Sequence, residues 1–114
     1  MRDEFSSDDM RLLQLFRAKN IEAAGNVRSG GIKVNVSEIG NLEHKASCSV
    51  NIESPHILGN LTMWITGECD LLVTNDTAED ILINETMRLK TESDVERCLD
   101  ETYRRVRDIS TSAT

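Results

Sequence analysis

The chain is poor in the residues that build most recognisable sites. It has one proline (Pro55), one tryptophan (Trp64), two histidines (His44 and His56) and three cysteines (Cys48, Cys69 and Cys98). An odd number of widely spaced cysteines, with no Cys-x-x-Cys pair, excludes a disulfide framework, and zinc would need Cys and His ligands at close spacing. No apolar run approaches the roughly 20 residues that span a bilayer, and no cationic start leads into an apolar segment near Met1. The expectation is a reduced, cytoplasmic protein without membrane contact. Basic residues are also scarce, 13 against 20 acidic ones, for a net charge of -7. That balance argues against direct binding of nucleic acid, which needs a basic stripe. An acidic surface suits a basic protein partner, and equally keeps a protein soluble.

At 114 residues the natural reading is a single domain over residues 1–114, with 1–6 and 109–114 loose. A chain of this length buries roughly two-thirds of its unfolded surface, enough for one sheet covered by helices. Ser6-x-x-Asp9 can cap a helix in which Met10, Leu12, Leu13, Leu15 and Phe16 form a wide apolar stripe. That helix fades between residues 20 and 25, and Gly30-Gly31 precedes the sheet. Ile32, Val34 and Val36 then alternate with polar residues, as do Ala46, Cys48, Val50 and Ile52. Period-two alternation marks strands buried on one face only. A hairpin from Leu61 to Val73 and a strand over residues 80–89 complete four or five strands. Ser93-x-x-Glu96 then reads as the capping box of a second helix. This helix puts Val95, Cys98, Leu99, Thr102 and Val106 on one side, with Arg104, Arg105 and Arg107 near its negative end. The order predicts an α+β fold: an antiparallel meander sheet with an N-terminal and a C-terminal helix packed on one face.

Register decides what the uncovered face displays, because a slip of one residue exchanges the two faces. A two-residue turn at Gly67-Glu68 puts Trp64 with Leu71 and Val73. An odd-length loop instead aligns Leu61, Met63 and Ile65 with Cys69, Leu71 and Val73, and only this register makes one face wholly apolar. It leaves Thr62, Trp64, Thr66, Asp70, Leu72 and Thr74 outward. Continuing the meander with Val73 opposite Ile81 and Leu71 opposite Ile83 brings Leu72 to Leu82 and Asp70 near Asn84. The candidate partner-binding residues are therefore Trp64, Glu68, Asp70, Leu72, Leu82 and Asn84, an apolar centre with a polar rim. The bland alternative packs Trp64 into the core or over an edge and leaves the leucines as scattered surface residues.

Catalytic chemistry finds little to work with. Both histidines fall in connections without an orienting motif, and read as solvated loop residues. Asp76, Glu79 and Asp80 lack the ligand spacing of a calcium loop and read as a turn with solubilising charge. Ser29-Gly30-Gly31 has neither the Lys nor the following helix of a phosphate loop. Glu85 points inward in the preferred register, so it needs an Arg partner or a peripheral position. Four Asn-x-Ser/Thr triplets, at Asn35, Asn60, Asn75 and Asn84, read as strand and turn composition. No catalytic residue, cofactor or metal is expected.

The segments Leu61-Thr62-Met63-Trp64 and Gly67-Glu68-Cys69-Asp70-Leu71, then a polar turn and Ile83-Asn84-Glu85, resemble the TriTu family of bacterial immunity proteins. There an apolar-Thr-apolar-Trp strand, a Gly turn and an Asp-apolar strand precede a Glu-bearing strand. The acidic helix that follows opens much as residues 93–99 do here. The resemblance covers residues 49–106, and the first helix is similar in position and length only. Ile65 stands where a polar residue is usual and Leu72 where an acidic one is common. The resemblance implies a non-enzymatic inhibitor that binds a cognate toxin C-terminal domain of a polymorphic-toxin or contact-dependent growth inhibition system. Such toxins are often nucleases, and the inhibitor blocks the active site or access to substrate. A monomer or weak homodimer with a basic toxin partner is expected. The rival readings are a small acidic dimeric secretion chaperone and a small enzyme using Glu85 or the turn carboxylates.

Overall fold

One-sided alternation along successive strands produces a single antiparallel sheet with both helices on its apolar face. The structure, a computed structural model, describes residues 7–27, 31–42 and 45–112. Its elements are α1 (Ser7–Val27), β1 (Lys33–Val36), β2 (Gly40–Leu42), β3 (Lys45–Glu53), β4 (Ile57–Trp64), β5 (Glu68–Asn75), β6 (Ile81–Arg88) and α2 (Glu92–Ser112). The order across the sheet is β1-β3-β4-β5-β6, and β2 also pairs with β3. Thus β1 and β2 are two pieces of one edge, interrupted at residues 37–39. Ser37 bridges the interruption: its amide donates to the Ser49 carbonyl (2.9 Å), and its Oγ accepts from the Ser49 amide (2.9 Å). The expected α+β meander is the observed fold.

The central hairpin takes the odd-length register. Met63 lies opposite Cys69 and Leu61 opposite Leu71, all four fully or almost fully buried. Gly67 makes this turn possible. Its φ of +96° suits only glycine, and a Cβ there would sit 2.7 Å from the Leu89 carbonyl oxygen. Its amide donates to the Trp64 carbonyl (2.8 Å), and its carbonyl accepts from the Leu89 amide (2.7 Å). The turn is thereby docked against the segment that leads into α2.

The pairing of β5 with β6 differs from the expectation. Val73 faces Ile83 and Leu71 faces Glu85, so the two strands are offset by two residues from the expected pairing. The cause is the connecting turn. Asn75 Oδ1 accepts from the Glu79 (2.9 Å) and Asp80 (3.3 Å) amides, and the Asn75 amide donates to the Asp80 carbonyl (3.0 Å). A bulge beside Val73 and Thr74 then leaves Leu82 as the extra residue. Ile81, expected inward, is 63% exposed.

Both helices are longer than their sequence signals. The apolar stripe of α1 holds Leu13 and Phe16 at full burial, and the helix continues past Gly25 to a buried Val27. Ser6 and the Asp9 side chain, the expected cap, lie outside the described residues. The capping box of α2 is formed two residues earlier than Ser93 and Glu96. The Asp94 amide donates to Thr91 Oγ1 and the Thr91 amide to Asp94 Oδ2, both at 3.1 Å. Hydrogen bonds from the Lys90 and Thr91 amides hold the Asp94 carboxyl below the usual carboxylate range. At its other end α2 runs through the patternless stretch after residue 109 to Ser112, so the three arginines do not reach its last turn. Arg104 instead lies near Glu101 (3.9 Å) and Asp108 (3.7 Å). Arg105 crosses to β6, where it donates to both Glu85 oxygens (2.9 and 2.8 Å). Glu85 is thus on the helix side of the edge strand, at the periphery with its side chain 47% exposed, and also paired with Arg105.

The helices lie side by side in the same sense. Arg11 meets Glu92 (2.7 Å) near their starts, and further along Tyr103 Oη donates to Asn20 Oδ1 (2.6 Å). Asn20 is completely buried, and its amide donates to the Phe16 carbonyl (2.8 Å). Both ends of this amide are therefore satisfied within the core. Burial pushes the Tyr103 hydroxyl pKa up, so it stays a neutral donor.

Replacing Tyr103 with Phe strands the Asn20 oxygen and lowers stability by about 1–3 kcal/mol. Urea denaturation should show a reduced midpoint with an unchanged slope. The Glu85 pair gives a pH signature. The Arg105 hydrogen bonds hold the Glu85 carboxyl below its ordinary range, so the ionised form is favoured in the folded state. Its contribution is complete above the unfolded carboxylate range and is lost as pH falls through the lowered folded value. Glu85→Gln is therefore less stable than the parent at pH 7, by under about 1 kcal/mol for so exposed a pair. The difference closes as the medium is acidified below roughly pH 4, and denaturation across a pH series measures it.

Candidate protein-binding surface

The uncovered sheet face is built by alternation from five strands, and no described helix or strand lies over it. Register resolves it into rows. The first runs Ser47, Trp64, Glu68 and Arg88, and the second Ser49, Thr62, Asp70 and Thr86. The third runs Asn35, Asn51, Asn60, Leu72 and Asn84. The last runs Lys33, Glu53, Leu58, Thr74 and Ile81.

Five of the six candidate residues, Trp64, Glu68, Asp70, Leu72 and Asn84, stand in these rows, and Leu82 sits at the bulge beside the last one. Trp64 is half-buried and pairs across the strands with Ser47. Glu68 and Asp70 are half-exposed, and Glu68 lies 3.5 Å from the Arg88 guanidinium. Leu72 and Leu82 are 42% and 44% exposed, and Asn84 faces Leu72. Asp70 faces Thr86 instead of lying beside Asn84.

The apolar centre is displaced from where the sequence placed it. Trp64 and Leu72 are two rows apart, roughly 13 Å along the strand direction, with Thr62 and Asp70 between them. The exposed apolar side chains gather instead at the far end of the face, where Leu58, Leu72, Ile81 and Leu82 surround Thr74. Leu58 and Ile81 were not among the candidates. Leu58 was missed because β4 starts at Ile57, soon after Pro55, and the Ile57, Gly59, Leu61 alternation was the available signal. Ile81 was missed because the Asn75 turn and the bulge set its face, and neither follows from alternation.

Between the apolar corner and Trp64 the face is tied together by hydrogen bonds. Asn60 Nδ2 donates to Asn51 Oδ1 (2.9 Å), Thr62 Oγ1 donates to Asn60 Oδ1 (2.7 Å), and Ser49 and Thr62 share a hydroxyl contact (2.9 Å). The Asn60-Leu61-Thr62 triplet is thus part of a cross-strand network, which shades Thr62 to 9% exposure. Such networks keep side chains in fixed rotamers and lower the entropic cost of docking.

All three cysteines are free and buried. Its hydrogen bond with Cys98, together with burial, pushes the Cys69 thiol well above its ordinary pKa, and burial raises Cys48. His56 is half-buried in the β3–β4 connection, and His44 is outside the described residues. Among the described residues no cluster of three or more His, Cys, Asp or Glu could hold a metal ion. No described helix is long and apolar enough to cross a membrane. A groove of about 680 Å³ lies between α1 and α2, lined by Lys19, Glu22, Arg97, Glu101 and Arg104 among others. Neither Glu85 nor the turn carboxylates line it, so the arrangement pictured for a carboxylate enzyme is not assembled there.

Comparison with curated proteins finds no match, and comparison with solved structures finds none either. The family model described as immunity protein TriTu matches residues 18–105. That span takes in the whole sheet, most of α2 and the half of α1 that carries Asn20, well beyond the hairpin segments that first suggested the likeness. An immunity function and a toxin protein as partner come with that match. Covering well over half of its length, it shows that the chain belongs to the TriTu family of immunity proteins.

Proposed function

We propose that the chain neutralises its cognate toxin by laying the open sheet face over the toxin domain, so that the active site or the path to it is blocked. The observation that carries this reading is the grouping of exposed Leu58, Leu72, Ile81 and Leu82 on an otherwise polar, hydrogen-bonded face. A corner of exposed apolar side chains within a polar surround has the anatomy of a recognition surface. Trp64, Glu68, Asp70, Leu72, Leu82 and Asn84 are the proposed contacts, with Leu58 and Ile81 added. The chain acts by binding and carries out no chemistry itself.

The net charge of -7 supports a basic toxin domain, as expected of a nuclease whose cleft must attract phosphates. An acidic inhibitor occupies such a cleft in place of nucleic acid, and complementary charge speeds encounter. Apolar anchors slow dissociation, which is the step that most often sets affinity. Both act in the cytoplasm, where the toxin would otherwise meet its substrate.

The test is binding to the purified, catalytically inactivated cognate toxin domain. Leu72→Ala and Trp64→Ala should each weaken binding by about tenfold or more, through faster dissociation. Asp70→Ala should slow association, with the difference shrinking as salt is added. Arg104→Ala, on the helix side, should leave affinity unchanged. Unaltered binding by all three face variants would rule out this surface.

A further inference from the structure

The two edges of the sheet are not alike. On one side β1 and β2 are separated by a break at residues 37–39, and the break is held by side chains. Arg17 Nε donates to the Ser37 carbonyl (2.9 Å), and its guanidinium also reaches Glu38 (3.1 Å). Broken, capped edges resist the addition of another strand. The other edge, β6, has no interruption between Ile83 and Arg88 and no proline, and no described strand pairs with its outer side.

The direction of its main-chain groups follows from one hydrogen bond. The Leu89 amide donates to the Gly67 carbonyl directly across the ladder, which makes Gly67 and Leu89 a hydrogen-bonded pair. Such pairs recur every second residue in an antiparallel ladder. Ile83, Glu85 and Met87 therefore bond to β5, while the amides and carbonyls of Asn84, Thr86 and Arg88 point away from the sheet.

We infer that β6 is a pairing edge, and that an extended segment of the toxin domain adds to it as a further strand while its side chains reach the apolar corner beside Leu82. The inference rests on the open-face reading and specifies how the partner engages it. Main-chain pairing supplies affinity at such edges, and side-chain pockets at alternate positions supply specificity. Charge selects the occupant. The loop next to the start of β6 exposes Asp76, Glu79 and Asp80, and the whole chain carries -7. A second copy would bring like charge against that loop. A segment with alternate apolar residues and Lys or Arg near the loop is complementary to it.

Thr86→Pro tests the pairing, because it removes an outward amide and leaves the bonds of β5 to Glu85 and Met87 in place. Thr86→Ala is its control, since it alters the side chain and keeps the amide. With the inactivated cognate toxin domain, Thr86→Pro should weaken binding at least about tenfold and Thr86→Ala by less than about threefold. Hydrogen exchange on the unmodified chain gives a reading independent of how the proline variant folds. The Asn84, Thr86 and Arg88 amides should exchange rapidly alone and become protected in the complex. Unchanged exchange at these amides, or parent-like binding by Thr86→Pro, overturns the pairing even if Leu72→Ala still weakens the complex. A dimer of the free chain that Thr86→Pro dissociates would identify a second copy as the occupant and also overturn it. If Leu72→Ala, Trp64→Ala and Asp70→Ala have no effect while these amides become protected, the edge stands and the open face falls.

Discussion

The turn at Gly67 is the constraint on which the rest of the sheet depends. A loop of Ile65, Thr66 and Gly67 puts Met63 opposite Cys69, and from that pairing the face of every residue in β4 and β5 follows. A turn one residue shorter would send Trp64 to the core side and Met63 to solvent. Glycine is needed because the backbone there is left-handed and the Leu89 carbonyl leaves no room for a Cβ. The same contact hands the chain from β6 to α2, so one residue sets the sheet register and the approach of the covering helix.

One covered face and one open face are a consequence of how much apolar surface two helices can cover. Each of α1 and α2 packs one side against the sheet, and they meet each other through the buried Asn20 and Tyr103. A buried amide with a specific phenol partner tolerates few alternative helix alignments, since any shift would strand a polar group in the core. The open face proposed for the toxin is thus backed by helices and crossed by the Asn51, Asn60, Thr62 and Ser49 hydrogen bonds. Preorganisation of this kind lets binding free energy go into contacts instead of ordering.

Much of this arrangement was legible because one-sided burial writes itself into alternation. The strand of Ala46, Cys48, Val50 and Ile52, the odd-length hairpin and the single-sided helices all follow from where apolar residues fall. So does the inward position of Glu85, with its need of an arginine or a peripheral place. What was not legible depends on side chains that act on backbone at a distance. The Asn75 turn and the Leu82 bulge re-aimed Ile81, and no periodic pattern announces either. The Thr91 and Asp94 capping box competes with a neighbouring Ser93 and Glu96 that has the same spacing. Only the observed helix start distinguishes them.

The amino-acid order alone therefore determined the class of fold, the inward set of the central hairpin and the family, since these depend on local periodicity and on short motifs. It also determined that chemistry is sparse and charge acidic. The tertiary structure alone decided where the exposed apolar residues meet, because Leu58, Leu72, Ile81 and Leu82 come from three strands whose relative register is set by turns. It also decided how the two edges differ, since Arg17 reaches across to the break at Ser37 while β6 runs unbroken from Ile83 to Arg88. Properties of a single segment are written in its sequence, whereas a surface shared between segments exists only once their register is set.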